Sequence, residues 1–126
     1  MKFLFVLREN ELHWEQLMEK YIKKEGGEVV TVGSTEEAQG LLKDKHFKVD
    51  EIITGSFGSL EGPWKDVQKA ALERSMGVTL LTGYPISDSQ REGLEKQNVR
   101  ILEKMSFDKG KFIAERFPAG SGAETR

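Results

Sequence analysis

Five short apolar runs alternate along the chain with longer stretches whose apolar side chains recur every three or four positions. The runs are Phe3–Leu7, Glu28–Val32, Glu51–Thr54, Val78–Thr82 and Val99–Leu102. Several are apolar almost throughout, the pattern of strands covered on both faces. The first helical stretch runs from about Glu11 to Lys24, with Trp14, Leu17, Met18, Tyr21 and Ile22 as its inner stripe and Gly26-Gly27 as its stop. The second opens at Ser34 with Glu37 three residues on, a capping-box pattern, and turns Ala38, Leu41 and Leu42 inward. The third starts at Pro63, carries Trp64, Val67, Ala70 and Ala71, and is expected to stop at Gly77. The fourth, from Ser87 to about Gln97, is capped by Ser87 and Gln90 and has Leu94 as its one strong anchor. The fifth, from about Asp108, presents Phe112, Ile113 and Phe117.

Strand–helix units joined by short loops imply an α/β fold: a parallel sheet with right-handed crossovers and helices on both faces. The expected form is a flavodoxin-like three-layer sandwich of strand order 2-1-3-4-5, with sites at the carboxyl ends of the strands. Residues 1–117 make the domain. The stretch 118–126 has no apolar anchor and is read as a disordered end or a linker.

Composition narrows the chemistry. With 126 residues the chain fits one domain with one core. A formal net charge of -2 supplies no broad cationic field, which argues against nucleic acid as a partner. The absence of cysteine removes disulfides, thiolate metal sites and a cysteine nucleophile, and fits a reducing cytoplasm. The run Phe3–Leu7 is too short for a signal-peptide core or a membrane span. His13 and His46 lack a neighbouring ligand pattern, so no metal is expected. Leu7-Arg8-Glu9-Asn10 is not a phosphate cradle, and no nucleophile elbow accompanies a serine, so no cofactor and no enzymatic activity are expected.

The order and spacing of several segments resemble the receiver domain of bacterial response regulators. Glu25-Gly26-Gly27-Glu28-Val29-Val30-Thr31-Val32 with Ser34-Thr35-Glu36-Glu37-Ala38 resembles that family's second strand and helix. Asp50-Glu51-Ile52-Ile53-Thr54 resembles its third strand, and Val78-Thr79-Leu80-Leu81-Thr82-Gly83 its fourth. Leu102-Glu103-Lys104-Met105, with Phe107 nearby, resembles the lysine-proline-phenylalanine motif after the fifth. The match spans essentially Lys2 to Phe117.

The resemblance implies a phosphorylation pocket of which this chain keeps half. Family chemistry uses two acids after the first strand and an aspartate ending the third, which bind Mg²⁺. That aspartate attacks the phosphoryl donor, and a hydroxyl residue and a lysine contact the transferred group. A carboxylate nucleophile and a phosphoryl group repel unless cations neutralise the developing charge. Thr82 matches the hydroxyl position and Lys104 the lysine, but Gly55 stands where the acceptor aspartate would be. The acid pair aligns with Leu7 and Arg8, and a one-residue shift would bring in Glu9. Asp50 and Glu51 lie at the other end of the third strand, roughly a dozen ångströms away at about 3.3 Å per residue, and cannot substitute. Ile101 replaces the aromatic residue that rotates inward on activation.

The implied domain is thus a pseudo-receiver that recognises protein without being phosphorylated, through another signalling domain or a second copy of itself. By the same resemblance Tyr84, Ile86, Leu94, Ile101 and Phe107 are expected on the contact face formed by the fourth helix, fifth strand and fifth helix. Arg8 would place a second cation near Lys104, with Glu9, Glu61 or a bound anion to balance it; alternatively Arg8 points into solvent. The loop Gly55-Ser56-Phe57-Gly58-Ser59-Leu60-Glu61-Gly62 reads either as an anion-binding nest or as a loop with Phe57 packed down. The rival function is therefore a small-ligand or anion site at the sheet edge around Arg8, Gly55, Ser56, Thr82 and Lys104.

Overall fold

The computed structural model describes residues 1–56, 61–83 and 86–117. Its strands are β1 (Lys2–Val6), β2 (Glu28–Val32), β3 (Glu51–Gly55), β4 (Gly77–Thr82) and β5 (Val99–Glu103). Its α-helices are α1 (Leu12–Lys24), α2 (Thr35–Lys43), α3 (Trp64–Glu73), α4 (Asp88–Lys96) and α5 (Lys109–Arg116). All strand pairs are parallel and the order is β2-β1-β3-β4-β5, as expected from the alternating pattern. β1 and β3, in the middle, are buried along almost their whole length, which is why their sequences do not alternate.

The two faces of the sheet carry separate apolar layers. Leu4, Val6 and Ile52 pack under α2 and α3 with Ala38, Leu42, Val67 and Ala71. Phe3, Phe5 and Ile53 pack under α1 and α5 with Met18, Ile22 and Phe112. A third group, Trp64, Leu80, Ile86, Leu94 and Val99, seats α4 against the β5 end. Leu94 is the one buried residue of α4, as its sparse pattern implies. Leu17, expected in the stripe of α1, is instead 37% exposed.

The helix ends follow local chemistry. Ser87 and Gln90 make a full reciprocal capping box on α4. On α2 the exchange is one-sided: Ser34 Oγ accepts from the Glu37 amide at 3.1 Å, and the Glu37 side chain meets the Ser34 hydroxyl, 3.3 Å away, and not the backbone. Gly26 closes α1 with φ of 85°, and Gly27 lies so close to Ile22 that an added Cβ would fall 2.5 Å from its Cγ2. Gly77 does not stop α3. That helix ends at Glu73, Ser75 takes the left-handed conformation with φ of 56°, and Gly77 already begins β4. Arg74 then reaches back to the carbonyls of Leu42, Asp44 and Lys45 and satisfies the end of α2.

At the amino-terminal end of the sheet lies a buried ionic group that the helical pattern of α5 does not announce. Glu51 opens β3 and Arg116 ends α5, and both are at least nine-tenths buried. The Arg116 Nε and Nη2 donate to the two carboxylate oxygens at 2.8 and 2.7 Å. Thr79 donates to the same carboxylate at 2.6 Å, and the guanidinium stacks 4.1 Å from the centre of the Phe112 ring. With every Glu51 oxygen bonded, this pair escapes the cost of an unmatched buried charge.

Candidate functional site

The carboxyl ends of three strands bring the sequence-predicted pocket residues together. Gly55 ends β3 opposite Leu81, Thr82 ends β4 opposite Glu103, and Lys104 follows β5 directly. Thr82 is buried and Gly83 beside it is exposed. The Lys104 stem passes over Gly83, where an added Cβ would lie 3.4 Å from its Cδ. That course carries the ammonium from the β5 end toward β3.

Its partner there is Glu11, a residue the sequence reading did not single out for this site. Chain leaving β1 turns through a 3-10 turn, Glu9–Glu11, and α1 begins at Leu12, one residue after the expected start at about Glu11. The turn is closed by the Glu11 amide donating to the Arg8 carbonyl at 2.8 Å, and it aims the Glu11 side chain inward. Glu11 is 7% exposed, and Lys104 Nζ donates to its Oε2 at 2.8 Å. Arg8 Nε stands 3.8 Å from Oε1. Among the described residues Oε1 is nevertheless without a hydrogen-bond donor.

Gly55 explains how this carboxylate fits. A Cβ added there would lie 2.6 Å from Glu11 Oε1, 3.1 Å from Oε2 and 3.2 Å from Cδ. The Glu11 carboxylate thus occupies the space into which any larger residue at position 55 would project. Of the expected counter-charges, Glu9 is exposed on the turn, and Glu61 pairs with Lys65 at 2.6 Å. Glu11 stands close to both Arg8 and Lys104. Arg8 itself is half exposed, so it both borders the site and meets solvent.

The expected contact residues divide by depth. Ile86 and Leu94 are buried in the α4 layer, Ile101 is half-buried against it, and Tyr84 lies outside the described residues. Phe107 is half-buried, packing edge-on to Trp14 at 5.7 Å and against Phe112 at 5.9 Å. The accessible part of this face mixes charged and apolar side chains. An open groove of about 980 Å³ follows β5, lined by Arg91, Glu95, Arg100, Ile101, Lys111 and Glu115 among others. Arg91, on its wall, pairs with Glu103. In the loop after β3, Ser56 is buried, whereas Phe57, Gly58, Ser59 and Leu60 lie outside the described residues. Residues 118–126, expected to be a tail, also lie outside them.

No family model and no curated protein sequence matches this chain. Solved structures do. A response regulator receiver protein from Burkholderia phymatum superposes with a TM-score of 0.72 at 18% identity, covering 98% of this chain and 96% of that one. One from Sinorhizobium medicae gives 0.68 at 22%, covering 90% and 89%. A CheY-like receiver domain protein from Methanospirillum hungatei gives 0.63 at 20%, covering 98% of each chain. The chain has the receiver fold. At 18–22% identity the likeness is one of architecture. Within the receiver fold, a glycine, a buried glutamate and a lysine occupy the edge where ligands of open α/β sheets bind. Among the described residues no three His, Asp or Glu side chains group to hold a metal, and no helix is long and apolar enough to cross a membrane.

Proposed function

We propose that this domain is a pseudo-receiver, acting in signal transduction by binding another protein and not by carrying a phosphoryl group. One observation carries the reading: position 55 is glycine, and the space beyond its Cα is filled by the Glu11 carboxylate paired to Lys104. Phosphoryl transfer at this edge would need an oxygen nucleophile there, with a dication to offset its charge. The lysine that would meet a phosphoryl oxygen is instead engaged by an internal carboxylate. Ile101, half-buried against the α4 layer, offers no ring to rotate. These features favour a single standing conformation over a switched pair. The partner is another signalling domain or a second copy of the chain, meeting the groove along β5, and the expected setting is the cytoplasm.

Incubation of the chain with acetyl phosphate and Mg²⁺, followed by intact-mass measurement, tests the reading. The expected result is an unmodified mass, with amide NMR spectra unchanged by beryllofluoride. A phosphoryl adduct mapped to a carboxylate at the carboxyl edge of the sheet would overturn it.

A further inference from the structure

Three glutamates among the described residues are buried, and one of them lacks a counter-charge. Glu11 meets Lys104 and Glu51 meets Arg116, whereas Glu15, 7% exposed, is in no ion pair among the described residues. Glu19 lies one turn further along α1 on the same side of the helix, and Lys23 engages its carboxylate at 2.7 Å. The Glu15 carboxyl is within hydrogen-bonding reach of Glu19 and of the Thr31 hydroxyl on β2. Two carboxyl groups in such contact have no donor between them unless one keeps its proton. We propose that Glu15 and Glu19 share a proton in a latch that fastens α1 to the edge strand β2, closed in mildly acid and released in mildly alkaline solution. The inference goes beyond the pseudo-receiver reading, and no part of it depends on position 55.

The neighbours of Glu15 decide where that proton sits. Val29 packs into the α1 layer, so Thr31, two residues on, faces the same way. From β1 this face presents Phe3 and Phe5, both fully buried. Glu28, one residue before Val29, belongs to the opposite face. Glu11, one turn before Glu15, is engaged by Lys104. The charged groups acting on Glu15 are therefore Glu19, which opposes its ionisation, and Lys23, which favours it but is already held by Glu19. Burial first, then Glu19, outweigh Thr31 and Lys23 and lift the Glu15 pKa to about 7. Lys23 holds Glu19 below the usual carboxylate range, so Glu15 carries the proton and Glu19 accepts it. Once ionised, Glu15 is a buried carboxylate facing another, and it is driven toward water. The way out is short, because Thr31 and Lys23 are exposed and β2 has a neighbouring strand on one side only. Its departure parts α1 from β2.

The test is amide hydrogen exchange of the full chain at about pH 5.5 and about pH 8, corrected for the intrinsic rate, with Glu15→Gln and Lys23→Met alongside. A carboxyl with a pKa near 4.5 when the seam is open and about 7 when it is closed favours opening as pH rises. Opening at the β2 amides should therefore increase about tenfold between the two conditions, while the β4 amides keep their protection. Glu15→Gln retains a donor toward Glu19 but does not titrate, and should hold β2 equally closed at both. Lys23→Met removes the one opposing cation, so the midpoint of β2 opening should move to higher pH; this variant serves if Glu15→Gln fails to fold. Equal β2 protection at the two conditions in the unsubstituted chain would overturn the proposal. So would a pH dependence that survives in folded Glu15→Gln, or a midpoint that Lys23→Met leaves in place.

Discussion

Replacing Gly55 by alanine should change sign according to what stands at position 11. In the unsubstituted chain the new methyl would arrive 2.6 Å from Glu11 Oε1, well inside contact distance. A glutamate end is normally free to retreat. This one is buried and held by Lys104 at 2.8 Å, so moving it stretches an ion pair or presses on the sheet. Overpacking of this kind costs about 1–3 kcal/mol. With Glu11 also replaced by alanine the obstacle is gone. Position 55 ends a strand without the left-handed φ that would favour glycine, so alanine there should then stabilise by about 0.4–1 kcal/mol through the unfolded chain. The two effects differ by about 1.4–4 kcal/mol, which is the coupling a double-mutant cycle would return. Urea unfolding followed by the fluorescence of Trp14 and Trp64 measures it. With a slope of about 1.5 kcal/mol per molar urea, the single substitution should lower the midpoint by about 0.7–2 M. A coupling below about 0.5 kcal/mol would refute the placement of Glu11 over Gly55.

Two further substitutions probe the charges that the fold buries. Arg116→Met should cost about 3–5 kcal/mol by urea unfolding because Glu51 stays buried without its partner, whereas Arg116→Met with Glu51→Met should recover most of the loss. Recovery absent from the double variant would mean that the pair itself is irreplaceable. Glu15 on α1 is buried, and burial first, then hydrogen bonding and repulsion from Glu19, raise its pKa to about 7, against opposing help from Thr31 and Lys23. A carboxyl whose folded pKa lies above the unfolded value near 4.5 adds stability at low pH, fully present below 4.5 and lost as pH rises toward 7. Glu19, held low chiefly by Lys23, acts in the opposite direction as pH falls. Glu15→Gln should therefore flatten the stability profile between about pH 4.5 and 7. An unchanged slope in that variant would remove Glu15 as its source.

Much of the fold was legible because β1, β3 and β4 are covered on both sides and write continuous apolar runs, while the caps at Ser34 and Ser87 mark where helices begin. Gly55, Thr82 and Lys104 were legible as a set through the resemblance to receiver domains, whose pocket positions end or follow strands. Glu11 was not. An acid at the start of a helix reads as a complement to the helix dipole, and nothing local says that it bends inward. The signal available was a glycine at position 55, a gap that some other side chain has to fill. The Glu51–Arg116 bond was hidden for a different reason: the partners are 65 residues apart, and an arginine in a last helical turn ordinarily faces water.

The riveting of Arg116 to Glu51 and Thr79 also decides how α5 can move. Its last turn is bolted to the floor of the sheet, at the opposite end from Lys104, while its first turn starts just beyond the loop that Lys104 begins. Sliding the helix along its axis would therefore break a buried ion pair held at two points, 2.8 and 2.7 Å long.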